Sequence, residues 1–486
     1  MTGDVVATLQ ARRTPAIHPT ERPPRMASDP NSRLLAFVRR TAETVPAYRA
    51  FLDERGIDPA GIVDAAKFAS LPLVTKDNYH RRYPLPQRCR DGQLTGCDVI
   101  AVSSGSTGIP TYWPRATEDE TAATARLRQV LRDGFAAEQR RTLAVVCFPL
   151  GTWVGGIFTL NCLRRLTAEF PATVIAPGNN KTEILRVVPE LGEFFDQVAL
   201  FGYPPFLKDV IDSGAREGVD WSRLAVKMVL AGEVISEHWR DLMAARTGAD
   251  PVRDIAALYG TADAGILGNE TPLSVSVRRF LAERPVLARD VFGSERLPTL
   301  LQYDPEDRFF ETVDGTLVFT ADSGVPLVRY HIADDGGVLA YETVIERCRA
   351  AGFEPAPGPD LPFVYVFGRA LHAVSIFGAN VFPETVTIGL ERDPISAWVT
   401  GKFVLEAGED AEHDRRLRVT VELCPDQSGN AERARTVAAA IRDELVRRNS
   451  EYANYVPVDR HLPDVELRPA GDPEYFPIGV KHRYTR

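Results

Sequence analysis

The sequence is poor in the residues that crosslink small secreted domains or build zinc sites. Its 486 residues include only six cysteines, and no two of them stand in a CxxC spacing. We therefore expect a reduced cytoplasmic chain without a structural metal. No apolar run approaches the roughly 20 residues that cross a membrane. Residues 1–30 have no apolar segment of the kind found in secretory signals, and we interpret them as a flexible N-terminal arm.

An excess of basic residues is also missing. The formal net charge is -9, from 57 Lys and Arg against 66 Asp and Glu. This balance argues against broad binding to nucleic acids or membrane surfaces, which needs a basic face. We expect a small-molecule partner instead, and leave a homodimer open. Hydrophobic residues make up 44% of the chain, as in ordinary globular proteins, and the length favours at least two domains.

The middle of the chain alternates short apolar runs with amphipathic stretches. The runs at 143–148, 197–201 and 226–231 are typical of buried strands, and the stretches at 181–195 and 205–217 of helices. Strand–helix–strand order at this spacing predicts parallel strands in an α/β architecture.

The pattern changes towards the C-terminus. After the proline-rich stretch 353–362, the sequence predicts strands at 397–405, 417–424 and 464–469 around a long amphipathic helix at 431–448. We therefore predict a large α/β domain with several sheets over residues 31–369 and a small, mobile α+β domain over residues 370–486.

The sharpest local signal is a run rich in serine and glycine. Residues 103–110 read SSGSTGIP and follow an apolar segment, Val99–Val102. The glycines allow a tight backbone turn whose N–H groups can approach an anion, and the hydroxyls can donate to phosphate oxygens. The alternative is a flexible surface linker, which the apolar flanks disfavour. The GK[ST] ending of a Walker loop is absent.

This run resembles the phosphate-binding motif of the adenylate-forming superfamily. Other segments, in the right order, are similar to motifs of its phenylacetate–coenzyme A ligase branch, which predicts the two-domain fold of adenylate-forming enzymes. The segments are LPLVTK (71–76), AGE (231–233), LYGTAD (258–263), RYHIAD (329–334), Gly368–Arg369 and GANVFP (378–383).

The resemblance implies an ATP site and assigns roles to individual residues of these motifs. It places Asp263 as the ligand of Mg²⁺ and Asp334 at the ribose, although Asp334 could instead belong to a turn. Arg369 lies near the ribose or phosphates with a catalytic role, and the catalytic lysine near the C-terminus is best matched by Lys481; the alternative is a solvated basic tail. The remaining nucleotide-binding residues are Ser103, Ser104, Gly105, Ser106, Thr107, Gly108, Gly232, Glu233, Tyr259, Gly260 and Thr261, with Tyr259 near the adenine.

Two segments resemble those that line the acid pocket in this family. Trp153, Gly155 and Gly156 belong to the first segment, and Tyr203 and Phe206 to the second. Their aromatic side chains suit a flat aromatic acid. Each aromatic side chain could equally well fill the core.

The sequence departs from the family pattern at the hinge and the phosphate loop. Ile109 stands where a lysine is usual, and Asp263 replaces a longer glutamate. Residues 370–372, Ala-Leu-His, replace the usual hinge Ser-Asp-Asp. These changes are compatible with ATP binding, whereas they argue against efficient transfer to coenzyme A, which depends on movement at the hinge. His372 could act as an acid–base group in place of the usual hinge acid, but we interpret it, like His331 and His482, as a residue without a special role.

The resulting functional prediction is an ATP-dependent, AMP-forming ligase acting on a small aromatic carboxylic acid in bacterial secondary metabolism. Its cofactors would be ATP and Mg²⁺, with coenzyme A as the common acceptor in the branch. One alternative is an enzyme of the same branch that activates nitrite or an acid for attack by an amine, as a diazotase or an amide-forming enzyme. Another is a pseudo-enzyme that only binds nucleotide.

Overall fold

The computed structural model describes residues 30–103, 111–152, 154–294, 296–369, 374–376, 379–409, 415–449, 452–453, 456–477, 482 and 484–485. Its helices are α1 (Pro30–Thr44), α2 (Pro46–Asp53), α3 (Ala65–Ala69), α4 (Thr117–Gln129), α5 (Val154–Leu166), α6 (Lys181–Gly192), α7 (Pro204–Arg216), α8 (Glu237–Thr247), α9 (Pro272–Ala282), α10 (Pro285–Phe292), α11 (Tyr341–Ala350), α12 (Pro383–Leu390) and α13 (Ala431–Arg448).

The strands are β1 (Val99–Ser103), β2 (Thr111–Arg115), β3 (Thr142–Val146), β4 (Ala172–Ile175), β5 (Gln197–Gly202), β6 (Lys227–Ala231), β7 (Ile255–Thr261), β8 (Gly265–Asn269), β9 (Thr299–Gln302), β10 (Arg308–Val313), β11 (Thr316–Ala321), β12 (Leu327–Leu339), β13 (Phe363–Arg369), β14 (Val374–Ile376), β15 (Ala379–Val381), β16 (Val399–Glu409), β17 (Arg415–Leu423) and β18 (Asp464–Arg468).

Eleven of the described strands form one mixed sheet in the order β10-β11-β12-β13-β9-β8-β7-β6-β5-β3-β4. Strands β4, β3, β5, β6 and β7 run parallel to one another, which confirms the α/β architecture expected from the alternating pattern. The other half of the sheet is antiparallel, which the pattern did not predict. Short turns join β7 to β8, β10 to β11 and β11 to β12, whereas helices lie between β8 and β9 and between β12 and β13. One such turn has left-handed backbone at both Asp314 and Gly315, the geometry that joins hairpin strands.

Both faces of the parallel half are buried. Along β3, Leu143 and Val145 enter one apolar cluster, and Ala144 and Val146 enter another on the opposite face. This alternation follows from the two-residue period of a strand. A strand covered on both sides is apolar throughout, which is why its sequence is a continuous run.

The segment after residue 373 forms its own small sheet and core. β16, β17 and β18 pair in that order, and none of them pairs with the eleven-stranded sheet in the described part of the chain. Helices α12 and α13 cover this sheet, and the apolar side chains form a separate cluster that includes Phe403, Val419 and Ile441. This arrangement agrees with the change of pattern in the sequence, while the boundary between residues 369 and 370 stays a proposal.

Several polar contacts join this small C-terminal unit to the rest of the molecule. Lys208 on α7 donates to the carbonyl oxygen of Val399 at 3.3 Å, and His238 Nε2 lies 2.8 Å from the carbonyl oxygen of Glu391. The described helices include none that is long and apolar enough to cross a membrane.

Candidate active site

The predicted site residues follow neighbouring parallel strands. β3, β5, β6 and β7 lie side by side, and the chain leaves each of them at its carboxyl end. In open α/β sheets this edge is where ligands bind, because the loops after the strands meet there. After β3 comes the start of α5, after β5 comes Tyr203, after β6 come Gly232 and Glu233, and β7 itself carries Tyr259, Gly260 and Thr261.

Gly232 and Tyr203 are in close contact. Gly232 has a φ of 87°, and a Cβ atom there would lie 2.6 Å from the Tyr203 ring. Only glycine satisfies both conditions. The Tyr203 ring also packs edge-on against Phe148, with centroids 5.2 Å apart. Burial, and secondarily the charge of Glu233, raise the pKa of Tyr203, so its hydroxyl remains protonated beside that carboxylate.

The turn before α5 requires small residues as well. A Cβ atom on Gly156 would lie 2.2 Å from the carbonyl oxygen of Pro149, and one on Gly155 would touch the Phe148 ring at 3.4 Å. Glycine thus brings the start of α5 against the loop after β3. Phe206 packs with the cluster under α7 rather than with that of Tyr203. Trp153 lies outside the described residues.

Tyr259 and Asp334 meet across the sheet. The Tyr259 hydroxyl donates to Asp334 Oδ2 at 2.8 Å. Asp334 lies within β12, directly opposite Arg369 of β13, so the alternative of a turn residue is wrong. The strand pair therefore brings together two residues predicted at the nucleotide, although the structure describes only the backbone of Arg369.

The next residues of the same segment close a turn. Thr261 Oγ1 accepts a hydrogen bond from the Ala264 amide at 3.1 Å. Gly260 lies at a bulge between β7 and β8, where a Cβ atom would come 3.2 Å from the carbonyl oxygen of Gly265. This tight hairpin determines where the following carboxylate, Asp263, is placed.

Asp263 lies beneath that turn between two partners. Its carboxylate is 3% exposed and accepts a hydrogen bond from the Tyr330 hydroxyl. The Lys76 ammonium stands 3.5 Å from Oδ1, and 5.8 Å from the centre of the Trp113 ring. A buried carboxylate needs such partners, because an uncompensated charge inside a protein is costly.

Lys76 reaches this position because its segment pairs with β12. The Val74 amide donates to the carbonyl oxygen of Arg329 at 3.0 Å, and the His331 amide donates to that of Val74 at 2.8 Å. Thr75 and Asn78 then form a reciprocal cap that begins a short helical turn. The 71–76 and 329–334 motifs are thus hydrogen-bonded to each other through their backbones.

The residues around Asp263 fit a Mg²⁺ ion that arrives with ATP. Mg²⁺ prefers hard oxygen ligands and usually takes one or two carboxylates, with phosphates and waters completing the shell. Asp263 supplies one carboxylate. Its charge is balanced by a long lysine side chain and a hydroxyl, and no cluster of three or more metal-binding side chains occurs in the described ranges.

The two strands that flank the predicted phosphate loop form a hairpin. Ser103 of β1 stands opposite Thr111 of β2, and the Val102 amide donates to the carbonyl oxygen of Thr152 at 2.9 Å. Buried Arg115, at the end of β2, donates to the carbonyl oxygen of Ala262, next to Asp263. Residues 104–110 of the loop, from Ser104 to Gly108 and beyond, lie outside the described residues, as does the Ser103 side chain.

Lys481 and residues 370–372, where we predicted the hinge, also lie outside the described part of the chain. Close to Lys481 in sequence, Tyr484 donates its hydroxyl to Glu233. The other histidines have local partners: His331 Nε2 lies 2.8 Å from Thr316 Oγ1, and His482 Nε2 lies 2.7 Å from the carbonyl oxygen of Phe403.

Sequence reasoning missed four residues at this site: Lys76, Tyr330, Arg115 and Tyr484. Lys76 and Tyr330 stand inside motifs that the sequence does contain, so their positions carried a signal. Arg115 and Tyr484 carried none, because their contacts depend on strand pairing and on the docking of the C-terminal unit.

No protein-family model matches the chain. A phenylacetate–coenzyme A ligase of Thermus thermophilus is 24% identical over 357 residues, which cover 73% of this chain and 72% of that protein. The crystal structure of a 2-hydroxyisobutyryl-CoA ligase in its postadenylation state, in complex with R3-HIB-AMP, matches with a TM-score of 0.65, 15% identity and coverage of 94% of this chain and 88% of that one.

The same 2-hydroxyisobutyryl-CoA ligase in its thioesterification state, in complex with 2-HIB-AMP and CoA, matches less well. That structure gives a TM-score of 0.54 at 16% identity, again over 94% of this chain and 88% of that one. The chain therefore has the fold of these ligases.

Proposed function

We propose that this chain, a phenylacetate–coenzyme A ligase-like member of the adenylate-forming superfamily and thus an AMP-forming ligase, activates a small aromatic carboxylic acid. The acid's carboxylate oxygen attacks the α-phosphorus of ATP, the bond to the β-phosphate oxygen breaks, and pyrophosphate leaves with the electron pair. The observation that carries the proposal is the Tyr259–Asp334 hydrogen bond at the carboxyl end of β7, where the nucleotide motifs converge.

The nucleotide would be held by groups that the fold brings together. The carboxylate of Asp334 would accept hydrogen bonds from the ribose hydroxyls, beside Arg369 on the facing strand. The loop 103–108 would donate N–H and O–H groups to the phosphates. Asp263 would hold a Mg²⁺ ion, whose chemistry is to neutralise charge on the departing pyrophosphate.

We assign Lys76 the role of the phosphate-loop lysine that Ile109 replaces in this chain. The lysine that the family usually carries in the phosphate loop is missing here. Lys76 already lies 3.5 Å from Asp263 Oδ1, and its four-carbon side chain has the reach to turn from the carboxylate to a phosphate.

Lys481 is the proposed catalytic cation. Charge develops between the carboxylate and the α-phosphate only as they react, so a positioned ammonium group lowers the energy of the transition state more than that of bound ATP.

An aromatic acid suits the walls of the proposed pocket. The Tyr203 and Phe148 rings pack edge-on, and the absence of a side chain at Gly155 and Gly232 lets the backbone pass directly against these two rings. Flat aromatic substrates are commonly bound between such rings and backbone.

Coenzyme A is our first choice of acceptor, as in the branch that the chain resembles. The thiol would attack the acyl carbon of the adenylate and expel AMP, giving a thioester. In bacterial secondary metabolism such a thioester would enter a following acyl-transfer step.

A second candidate is chemistry completed without rotation of the small unit, with an amine or nitrite as the acceptor. Arg296 favours it because it binds residues on both sides of the hinge. Its guanidinium donates to the carbonyl oxygen of Phe367 at 2.6 Å and to Glu384 at 2.9 Å, and it lies 3.9 Å from the centre of the Phe382 ring. These contacts would have to break for the unit to rotate.

The test is a screen of ATP–pyrophosphate exchange and AMP release. The full chain is assayed with aryl carboxylic acids, and with nitrite and aryl amines, each with and without coenzyme A. Exchange that depends on an aryl acid, with AMP release stimulated by coenzyme A, supports the first proposal. AMP release that depends on nitrite or an amine and ignores coenzyme A supports the second. Nucleotide binding without exchange under any condition would contradict both.

A further inference from the structure

Tyr484, close to the C-terminus, contacts the turn that the AGE motif assigns to the nucleotide. Tyr484 donates its hydroxyl to the carboxylate of Glu233. Glu233 follows Gly232 in the turn after β6, which the AGE motif assigns to the nucleotide. Tyr484 therefore joins the C-terminal unit to the proposed site, three positions after Lys481.

The backbone of Tyr484 is fixed on β16. The Leu405 amide donates to the Tyr484 carbonyl oxygen at 2.7 Å, and Thr485 forms a parallel bridge with Leu405. The Tyr484 ring packs against Phe403, with centroids 5.0 Å apart. The side chain thus projects from backbone that is held against β16, and a hydrogen bond at its tip can fix the distance between the two units.

The preceding described residue is fixed in the same way. His482 Nε2 lies 2.7 Å from the carbonyl oxygen of Phe403, and its ring meets the Tyr484 ring edge-on at 4.5 Å. Successive Cα atoms are about 3.8 Å apart. Fixing His482 therefore restricts where the residue before it in the chain, Lys481, can be delivered.

The acceptor side of this contact is held as firmly. Arg278 donates to the carbonyl oxygen of Ile235 at 2.7 Å, two residues beyond Glu233. Ser236 caps α8 by accepting from the Trp239 amide at 2.9 Å, and its hydroxyl donates to Glu391 of the C-terminal unit. Tyr484 and Glu233 thus connect two rigid supports.

The hydrogen bond between Tyr484 and Glu233 is maintained at neutral pH. Burial raises the pKa of Tyr484 well above its usual range, and the nearby carboxylates of Glu233, Glu384 and Glu391 raise it further. The phenol remains protonated and acts as the donor, and a carboxylate oxygen of Glu233 acts as the acceptor. Hydrogen bonds to a charged partner are stronger than neutral ones.

We infer that Tyr484 is a positioning residue for adenylation: by hydrogen bonding to Glu233, it docks the segment that carries Lys481 onto the turn after β6. The inference rests on the proposed function for the role of Lys481, whereas the docking itself does not. A tyrosine that merely stabilised the C-terminal unit would make its hydrogen bond inside that unit.

Tyr452 is such a tyrosine and provides the matched control. It is fully buried, and its hydroxyl donates to the carbonyl oxygen of His461 at 3.0 Å within the C-terminal unit. Tyr452→Phe and Tyr484→Phe remove the same atom from the same residue type. Only the second substitution removes a contact between the two units.

The kinetic test measures acid-dependent ATP–pyrophosphate exchange by the full chain, with the aryl acid that gives the fastest wild-type exchange. We expect Tyr484→Phe to lower kcat about tenfold or more, because the lost bond has a charged acceptor, with the KM for ATP within about threefold. Tyr452→Phe should keep kcat within about twofold. Adding Tyr484→Phe to Glu233→Ala should lower kcat by no more than about a further twofold, because the two substitutions remove the same hydrogen bond.

Hydrogen–deuterium exchange tests the docking without any substrate. Tyr484→Phe should speed amide exchange in peptides covering residues 231–236 and 401–409, whereas Tyr452→Phe should leave 231–236 as in the wild type. Unchanged exchange at 231–236 in Tyr484→Phe, or an unchanged kcat, overturns the inference. If no acid supports pyrophosphate exchange while residues 231–236 still lose protection, the proposed function fails and the docking role of Tyr484 stands.

Discussion

The Tyr259 hydroxyl lies 2.8 Å from Asp334 Oδ2, although the two residues are 75 positions apart in the chain. The tyrosine lies on β7 and the aspartate on β12. Four other strands, β8 to β11, lie between them in the sequence. The hydrogen bond fixes the position of one carboxylate oxygen of Asp334 and thereby orients the whole carboxylate. We expect this carboxylate to bind the ribose of ATP.

Asp334→Ala should raise the KM for ATP about 10- to 100-fold, because it removes a charged hydrogen-bond acceptor worth roughly 1.5–3 kcal/mol. Tyr259→Phe should have a smaller effect, since the carboxylate remains. The KM is measured from the ATP dependence of pyrophosphate exchange. Tyr303→Phe, a buried tyrosine that packs against Phe310, is the control and should bind ATP normally. An unchanged ATP affinity in Asp334→Ala would show that the ribose assignment is wrong.

Asp263→Asn should raise the Mg²⁺ concentration needed for half-maximal exchange by about tenfold or more. The amide keeps the shape of the side chain and can still accept from Tyr330, but it loses the negative charge that Mg²⁺ prefers. The control is Asp322→Asn, which alters an exposed carboxylate paired with Arg40 at 2.8 Å. If the Mg²⁺ dependence of Asp263→Asn matches that of the control, the metal is held elsewhere.

Lys481→Ala should lower kcat for adenylation about 100-fold or more while ATP binding stays within about threefold, because the ammonium acts mainly in the transition state. ATP binding is measured by calorimetry, and the rate by rapid-quench detection of AMP. Lys67→Ala, on the exposed side of α3, is the control. Equal losses of binding and rate in Lys481→Ala would identify a contact with ground-state ATP instead.

Glu391 should make stability depend on pH. Burial raises the pKa of this carboxyl to about 8, against the opposing effects of the Ser236 hydrogen bond and the charges of Lys208 and Arg278. The folded state therefore binds more protons than the unfolded state between about pH 4.3 and 8. In that window the free energy of unfolding falls as pH rises, by up to about 1.4 kcal/mol per pH unit from this group.

Glu391→Gln should remove this dependence and make the protein more stable than the wild type near pH 9. The free energy of unfolding is measured by urea denaturation at pH 6 and pH 9. Glu444→Gln should instead lower the free energy of unfolding by a similar amount at pH 6 and pH 9, because burial would raise the pKa of Glu444 but hydrogen bonds from three arginines lower it, so the group is ionised at both pH values. A wild-type protein whose stability rises between pH 6 and pH 9, with no gain in Glu391→Gln, would contradict the assignment.

The parts of the fold that follow from local pattern could be predicted from the sequence. The runs at 143–148 and 197–201 became buried parallel strands, and the predicted helix over 431–448 is α13. The antiparallel half of the sheet was not predicted, since the pairing of β12 with β13 and β11 depends on contacts between distant segments. Hydrophobic periodicity gives the type of an element and says little about its neighbours.

In the candidate site, too, the residues in motifs could be predicted from the sequence, whereas the contacts between distant segments could not. Asp334 and Tyr259 stood in motifs, and the structure brings them together. The motif around Lys76 was visible, but its ion pair with Asp263 was not, because it depends on the bridge between Val74 and Tyr330. Tyr484 lies in no motif, and its partner Glu233 is 251 positions away.

The most direct test of adenylation follows oxygen from the acid to AMP. The full chain is incubated with ATP, Mg²⁺ and an aryl acid whose carboxylate is labelled with ¹⁸O, then with coenzyme A or hydroxylamine as the acceptor, and the AMP is analysed by mass spectrometry. The account predicts that each AMP released carries one ¹⁸O atom, because the carboxylate oxygen bonds to the α-phosphorus and stays there when the acyl carbon is attacked. AMP that is released without label, or ATP cleaved only to ADP, would contradict it.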